Sequence, residues 1–270
     1  MSLKKLFDVS KEIVIITGSS GQLGLEYTQT FINLGAKVVG IDLKSNEKTE
    51  NIIKNHPKNF LFLDCDITNS NCLSDALGKI IQNFGIPTVL INNAAIDSPP
   101  NSPSSENGTF EEFPESVWEK VMEVNVKSVF LTCKIFGAAM KKNRKGSIIN
   151  ISSIYGILSP DQTIYDYKRK SGEVFFKPIA YSVSKSAIIN LTKYLAVYWA
   201  KDQIRVNTLI ISGVLNNQDN EFIEAYSKRI PIGRMATSDE YNGALVFLAS
   251  SSSKYMTGSN FVIDGGWTSI

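Results

Sequence analysis

Tyr181 and Lys185 stand four residues apart in Tyr181-Ser182-Val183-Ser184-Lys185. On an α-helix such residues are neighbours, with Cβ atoms roughly 5–6 Å apart. A phenol ordinarily titrates near pH ~10, and an ammonium beside it lowers the cost of ionising it. A tyrosine shifted in that way takes a proton from an alcohol as general base, or gives one to a carbonyl as general acid. By itself the spacing also describes an ordinary amphipathic surface pair. The remaining residue types narrow the chemistry. The only histidine, His56, precedes Pro57 in a polar loop, so neither a Ser-His-Asp hydrolase nor a histidine-ligated metal site is expected. Cys65, Cys72 and Cys133 form no Cys-x-x-Cys and are expected to be reduced thiols. Chemistry must then come from Tyr, Lys, Ser, Asn or a bound cofactor, with no metal.

The elements that would position this pair alternate between short β-branched runs and longer helical patterns, as in a parallel α/β sheet. Strands are expected at Glu12–Thr17, Lys37–Asp42, Phe60–Asp66, Thr88–Asn93, Ser147–Ser152, Arg205–Ile210 and Asn260–Asp264. Several are apolar almost throughout, which fits strands covered by helices on both faces. Helices are expected at Gln22–Leu34, Ser70–Phe84, Glu115–Lys142, Tyr181–Lys201 and Asp239–Ser250. No repeat or long linker divides the 270 residues, so one domain spanning 1–270 is expected. Loops near 97–114, 156–179 and 212–234 interrupt the alternation. Each follows a strand, at the edge where open α/β sheets bind ligands.

Thr17-Gly18-Ser19-Ser20-Gly21-Gln22-Leu23-Gly24 follows the first strand and opens the first helix. Glycines let the backbone turn tightly against a pyrophosphate, and the helix N-terminus offers free N–H groups and a favourable dipole. Asp42 ends the next strand, 18 residues beyond Gly24. A carboxylate there accepts hydrogen bonds from ribose hydroxyls and repels a 2′-phosphate, favouring NAD over NADP. Gly18, Ser20, Gln22, Leu23, Gly24 and Asp42 are the expected contacts. The fold class is a doubly wound, Rossmann-type α/β domain with a seven-stranded parallel sheet and helices on both faces.

The net charge of +2 excludes a strongly basic nucleic-acid surface. No apolar run approaches the ~20 residues of a membrane span. Met1–Asp8 lacks the apolar stretch of a secretory signal, so a cytoplasmic location is expected.

With these residues assembled, the chain resembles the short-chain dehydrogenase/reductase family from Lys11 to Trp267. The resemblance rests on ordered motifs: Cys65-Asp66-Ile67-Thr68, Asn92-Asn93-Ala94-Ala95, the segment from Trp118 to Val124-Asn125-Val126, Gly146 through Ser153, the Tyr181–Lys185 pair, Arg205-Val206-Asn207, Pro231-Ile232-Gly233-Arg234 and Asp264-Gly265-Gly266. It implies hydride transfer between a nicotinamide and a carbon bearing a secondary alcohol or ketone. Tyr181 would be the acid/base and Ser153 the donor to the substrate oxygen. Lys185 would hold the nicotinamide ribose, and Asn125 would fix a water leading to solvent. Asp66 and Ile67 would contact adenine; Asn93, Ala94, Ala95, Gly213 and Val214 would line the dinucleotide, with Tyr181 and Lys185 also touching it. The plainer alternatives are that Asn125 satisfies backbone groups in a helix kink, that Ser153 only caps its strand, and that Ser152 is the catalytic serine. Ser212-Gly213 replaces the family's Pro-Gly, and 28 positions separate Ser153 from Tyr181, about twice the usual gap.

The loop 156–179 carries Lys168, Arg169, Lys170 and Lys177 against Asp161, Asp166 and Glu173, a net +1 that reads as a solvated charge run. Tyr165 and Tyr167 read as pocket-lining or surface aromatics. Gly213–Gln218, Gly233–Ala236 and Asp239–Gly243 resemble the bacterial flagellin- and surface-glycan-modification oxidoreductases within the family, which implies a sugar or sugar-derivative substrate. Competing readings are a 3-oxoacyl-carrier-protein reductase, a polyol or sugar-acid dehydrogenase, and a catalytically silent dinucleotide sensor. Apolar residues on more than one side of the long helices, among them Phe130, Tyr194 and Tyr198, leave a face for a symmetric partner unless the helices are wholly internal; the family resemblance implies a homodimer or homotetramer.

Overall fold

The computed structural model describes residues 2–97 and 106–270; of the loop expected at 97–114, residues 98–105 lie outside the described residues. Strands β1 (Ile13–Thr17), β2 (Lys37–Asp42), β3 (Phe60–Asp64), β4 (Val89–Asn92), β5 (Gly146–Ser153), β6 (Ile204–Ile211) and β7 (Asn260–Ile263) form one sheet in the order β3-β2-β1-β4-β5-β6-β7. Every pairing is parallel. The order reverses between β1 and β4, so the chain leaves those two strands in opposite directions and opens a crevice at their carboxyl ends. Each expected strand is found within two residues of its bounds. The third stops early, because Asp66 folds its carboxylate back onto the Thr68 N–H at 2.9 Å.

Alternation along the strands splits the core in two. Val14 and Ile16 pack with Tyr27 and Phe31 of α2 (Gln22–Asn33) and with Leu245 and Leu248 of α10 (Asn242–Ala249). Ile15 points to the other face, where Leu73 and Ile80 of α4 (Ser70–Asn83), Phe136 and Met140 of α6 (Ser128–Asn143) and Ile188 and Trp199 of α8 (Ile179–Trp199) cover the sheet. Burial of one such side chain contributes about 1.5–3 kcal/mol.

Four short helices escaped the periodicity. One is the N-terminal turn α1 (Leu3–Leu6). Another, α3 (Glu47–Asn55), buries only Thr49 and Ile52, too little for an apolar stripe; its one local signal is Asn46, whose side chain caps it by accepting from the Thr49 N–H. The others, α7 (Asp166–Lys170) and α9 (Asn220–Ser227), lie inside segments read as loops. The long helix expected at Glu115–Lys142 is interrupted: α5 (Glu115–Met122) passes into a π-helical stretch at Glu123–Lys127 before α6.

The two later loops pack together as a third apolar cluster, with Tyr155, Ile164, Tyr165 and Phe175 against Phe222, Tyr226 and Ile230. Polar ties reinforce it: Tyr167 donates to Asp219 at 3.2 Å, and Arg229 pairs with Asp161. The insertion is therefore a wall.

One expectation is corrected. Cys65 and Cys72, expected as thiols, are joined as a disulfide with Cα atoms 5.7 Å apart. Cys133 remains a thiol; burial pushes it up to about 12. Among the described residues no helix is long and apolar enough to cross a membrane, and no cluster of His, Cys, Asp and Glu suits a metal ion.

Candidate active site

The carboxyl end of β5 and the first turns of α8 meet at the crevice. Ser152 and Ser153, adjacent on the strand, face opposite ways. The Ser152 hydroxyl donates to the Lys185 carbonyl at 2.8 Å and is spent on seating the helix. Gly156 allows the same close approach, since a Cβ there would lie 2.9 Å from that carbonyl oxygen. Ser153 instead lines a cleft of about 510 Å³ with Tyr181, and its hydroxyl acts on the phenol in the sense that lowers its pKa. Its oxygen also accepts from the Tyr155 N–H at 3.2 Å, so the serine caps its turn and faces the tyrosine at once.

Lys185 is buried, donates from Nζ to the Ile151 carbonyl at 3.0 Å, and lies 5.7 Å from the Tyr181 ring centroid. Burial pulls its pKa down to about 8, against the opposing charge of Asp97. The expected depression of Tyr181 is not found. Desolvation of the phenol is the largest influence and raises its pKa, the Asp97 charge raises it further, and the Ser153 hydroxyl opposes both. The chain's own groups therefore keep the phenol protonated and poised as a donor.

Asn125 lies buried in the π-helical stretch. Its Oδ1 accepts from the Ile96 N–H at 2.8 Å, and its Nδ2 donates to the Ile96 carbonyl at 2.9 Å and to Ser184 Oγ at 3.0 Å. These bonds clamp the chain after β4 to α8, one turn from Tyr181. Two of the three bonds satisfy the Ile96 backbone and the third reaches the Ser184 hydroxyl.

At the other end of the crevice the glycine turn wraps the start of α2. Gly18 has φ +66°, and a Cβ there would lie 2.8 Å from Ala94 Cα. A Cβ on Gly24 would overlap the Gly18 carbonyl oxygen. Gly21 has ordinary φ and starts the helix with no side-chain cap, which leaves the first-turn N–H groups of Gln22, Leu23 and Gly24 outside the intrahelical pattern. Asp42 accepts from the Ser20 N–H at 2.9 Å and the Leu43 N–H at 2.8 Å. The Ser20 hydroxyl turns away, donating to the Lys44 carbonyl at 3.0 Å. Asn93 braces the turn by donating to the carbonyls of Thr17 and Gly18 at 3.0 and 3.2 Å. Asp66 is exposed beside buried Ile67. Ala95, Gly213 and Val214 line the cleft. Gly213 donates to the Tyr226 hydroxyl at 2.7 Å, and a Cβ there would meet that ring at 2.7 Å, which accounts for a glycine after Ser212. These parts fit a dinucleotide: uncapped N–H groups for a diphosphate, and a carboxylate at the end of β2 for ribose hydroxyls.

Three features were missed in the sequence. Gln22 donates to the Leu215 carbonyl at 2.8 Å and ties α2 to the segment after β6. Beneath the site a buried chain runs from Thr132 to Asn92 at 2.7 Å, Asn92 to Asn150 at 2.8 Å, and Asn150 to Thr192 at 2.8 Å. Lys177, read as part of a solvated run, is buried and ion-paired with Asp97. The first two join residues far apart in sequence and leave no local signal. An apolar flank, Phe175-Phe176-Lys177-Pro178, was the available hint for the third.

Comparison with known proteins gives concordant matches. A family model described as enoyl-(acyl carrier protein) reductase matches residues 19–268. The NAD-dependent glycerol dehydrogenase of Listeria innocua is 28% identical over 269 residues, covering 98% of this chain and 96% of that protein. A short-chain dehydrogenase from Leptospira borgpetersenii, solved with bound NAD+, superposes with a TM-score of 0.84 at 32% identity, covering 99% of this chain and 97% of that one. A gluconate 5-dehydrogenase from Burkholderia cenocepacia, solved with NADP and tartrate, gives a TM-score of 0.85 at 25% identity over 100% of both chains.

Proposed function

Because the chain belongs to the short-chain dehydrogenase/reductase family, whose members act on alcohol groups, we propose that it interconverts a secondary alcohol and a ketone on a sugar or sugar derivative, using NAD. The observation that carries this reading is one cleft lined by Ser153 and Tyr181 together with Gln22 and Leu23 at the uncapped end of α2.

The dinucleotide supplies or accepts the hydride. In reduction, Tyr181 gives its proton to the substrate oxygen and Ser153 donates a second hydrogen bond as charge grows there. In oxidation Tyr181 must first lose its proton, and Lys185 favours that form by its charge. In this reading the same ammonium would also hold the ribose hydroxyls. Asn125 holds the Ile96 segment and α8 in register, and in this reading also fixes a water that leads the proton outward. Gly18, Gln22, Leu23 and Gly24 hold the diphosphate, Asp42 the adenosine ribose, Asp66 and Ile67 the adenine, and Gly213 and Val214 the nicotinamide end. Asp42 is the reason to prefer NAD over NADP.

A role in flagellin or surface-glycan modification, in the cytoplasm, is the narrower form of the proposal. It is supported by the motifs near Gly213 and Arg234. The glycerol and gluconate dehydrogenases among similar proteins support polyhydroxylated substrates more generally. The exposed residues Phe130, Tyr194, Val197 and Tyr198 on α6 and α8 support a homodimer or homotetramer joined through those helices.

The test is a panel of sugars, sugar nucleotides and polyols offered with NAD+ and with NADP+, followed by absorbance of the reduced nicotinamide. Turnover of a polyhydroxylated compound with NAD+ is expected. NADH binding with no turnover across the panel would favour the silent-sensor alternative.

A further inference from the structure

We propose that Gln22 sets how fast the nicotinamide cofactor enters and leaves: its bond to the Leu215 carbonyl is a strap across the crevice that must open for the dinucleotide to pass. The inference rests on the dinucleotide reading above and adds a cofactor-retaining residue to that same site.

The strap follows from the topology. Gln22 opens α2 just past the end of β1, and Leu215 stands just past the end of β6. In the sheet β4 and β5 lie between those two strands. At a strand spacing of ~4.8 Å, β1 and β6 are about 14 Å apart. The Gln22 Nε2 nevertheless meets the Leu215 carbonyl at 2.8 Å. The two segments therefore lean together over the carboxyl edge where β4 and β5 end, β5 with Ser153. The same bond stands between two cavities. Gln22 and Asn216 line the 510 Å³ cleft of Ser153 and Tyr181, and both also line a second cavity of about 910 Å³ with Ser20, Asn46 and Lys48. Ser20 gives its N–H to Asp42, so the second cavity adjoins the adenosine end of the proposed site. A dinucleotide reaching from Asp42 to Tyr181 has to cross the line that joins Gln22 to Leu215.

Both anchors of the strap are fixed. The Leu215 N–H donates to the Ala236 carbonyl at 2.8 Å. Gln218 donates to the Val214 carbonyl at 2.9 Å and accepts from the Asn216 N–H at 2.7 Å, so it holds the segment on either side of Leu215. Across the crevice, Asn242 donates to Glu26 at 2.7 Å and ties α2 to α10. The adjustable part is the Gln22 side chain, which is exposed. A bond between exposed neutral groups adds little to stability, and exposed side chains change rotamer within nanoseconds. The strap therefore opens often and recloses on the same carbonyl. That behaviour suits a gate better than a structural tie.

The experiment measures NADH association and dissociation by stopped-flow fluorescence, with Kd from equilibrium titration, so no readout depends on turnover. Gln22→Met keeps the length of the side chain and the backbone N–H at the start of α2, and removes only the donor. Gln22→Ala removes the side chain beyond Cβ, which guards against a methionine that packs over the opening in its place. In Gln22→Ala, and in Gln22→Met unless its side chain obstructs the opening, both rate constants should rise about three- to tenfold, the factor by which one neutral hydrogen bond favours the closed form. A gate acts on the barrier in both directions, so Kd should stay within about twofold of wild type, whereas a contact made only to bound cofactor shows in the dissociation rate alone. Unchanged rates in both variants would overturn the proposal. So would faster dissociation with unchanged association and a Kd weakened to match. Either result leaves the dinucleotide reading standing. Failure of NADH to bind wild type would sink that reading and this inference with it.

Discussion

Replacing Asn150 with leucine removes the centre of the buried chain beneath the active site while keeping the side chain's approximate volume. Two groups lose their partner: Asn92 Nδ2, now 2.8 Å from Asn150 Oδ1, and Thr192 Oγ1, now 2.8 Å from Asn150 Nδ2. All three residues are at most 3% exposed, so water does not replace what is lost. A buried polar group left unpartnered costs about 1–3 kcal/mol, so the pair sums to about 2–6 kcal/mol. Two local adjustments trim this. Asn92 keeps a weak contact to Cys133 Sγ at 3.4 Å, and a helical threonine can turn to the carbonyl one turn back. The expected loss is about 2–4 kcal/mol, or roughly 4–16 °C in Tm at ~2–4 °C per kcal/mol for a chain of this size. Urea unfolding followed by fluorescence of buried Trp199 and Trp267 measures it. The double variant Asn92→Leu/Asn150→Leu supplies a second check. Because the two share one hydrogen bond, the double change should cost less than the sum of the singles by about 0.5–3 kcal/mol. A loss below about 0.5 kcal/mol for Asn150→Leu, or strict additivity, would refute the reasoning. Since Asn150 precedes Ser153 on β5 and Thr192 follows Lys185 on α8, turnover should fall along with stability.

Other outcomes follow from the geometry. Asp42→Ala should reduce the preference for NAD over NADP by about ten- to a hundredfold, the range for losing hydrogen bonds to a charged acceptor; equal kcat/KM ratios for the two cofactors before and after the change would remove Asp42 from the ribose site. The pH profile of alcohol oxidation should respond to Asp97. Oxidation requires the deprotonated tyrosine, so kcat/KM rises with pH, and the Asp97 charge raises the pKa of Tyr181. Asp97→Asn should therefore move the rising limb to lower pH. Lys177, Ser153 and Lys185 face the same phenol, and a limb that stays in place or moves upward would mean that one of them, or desolvation alone, sets it.

The strands were legible because a strand covered on both faces must be apolar at nearly every position, and Ile13–Thr17 and Val89–Asn92 have little other use for such composition. The glycine turn and the Tyr181–Lys185 pair were legible because each is a local pattern whose geometry follows from sequence distance. What depends on distant partners was not. Nothing near Asn92 announces that it bonds Asn150, and nothing near Lys177 announces Asp97. The resemblance pointed to Ser153, but the different surroundings of Ser152 and Ser153 were visible only in the fold, where α8 occupies one face of β5. The Tyr181 pKa was misjudged for a related reason: the neighbouring ammonium is visible in the sequence, whereas the desolvation that outweighs it is a property of the folded cleft. The short helices α3, α7 and α9 bury too few side chains to write a period into the sequence.

The most direct measurement is steady-state turnover by Tyr181→Phe, with NADH affinity determined on the same preparation. The phenyl ring keeps the packing and loses only the transferable proton. Turnover should fall about 10²- to 10⁴-fold, the contribution of a positioned general acid–base group, while NADH binds as it does to wild type. A variant that turns over like wild type would contradict the assignment of Tyr181 as the group that moves the proton.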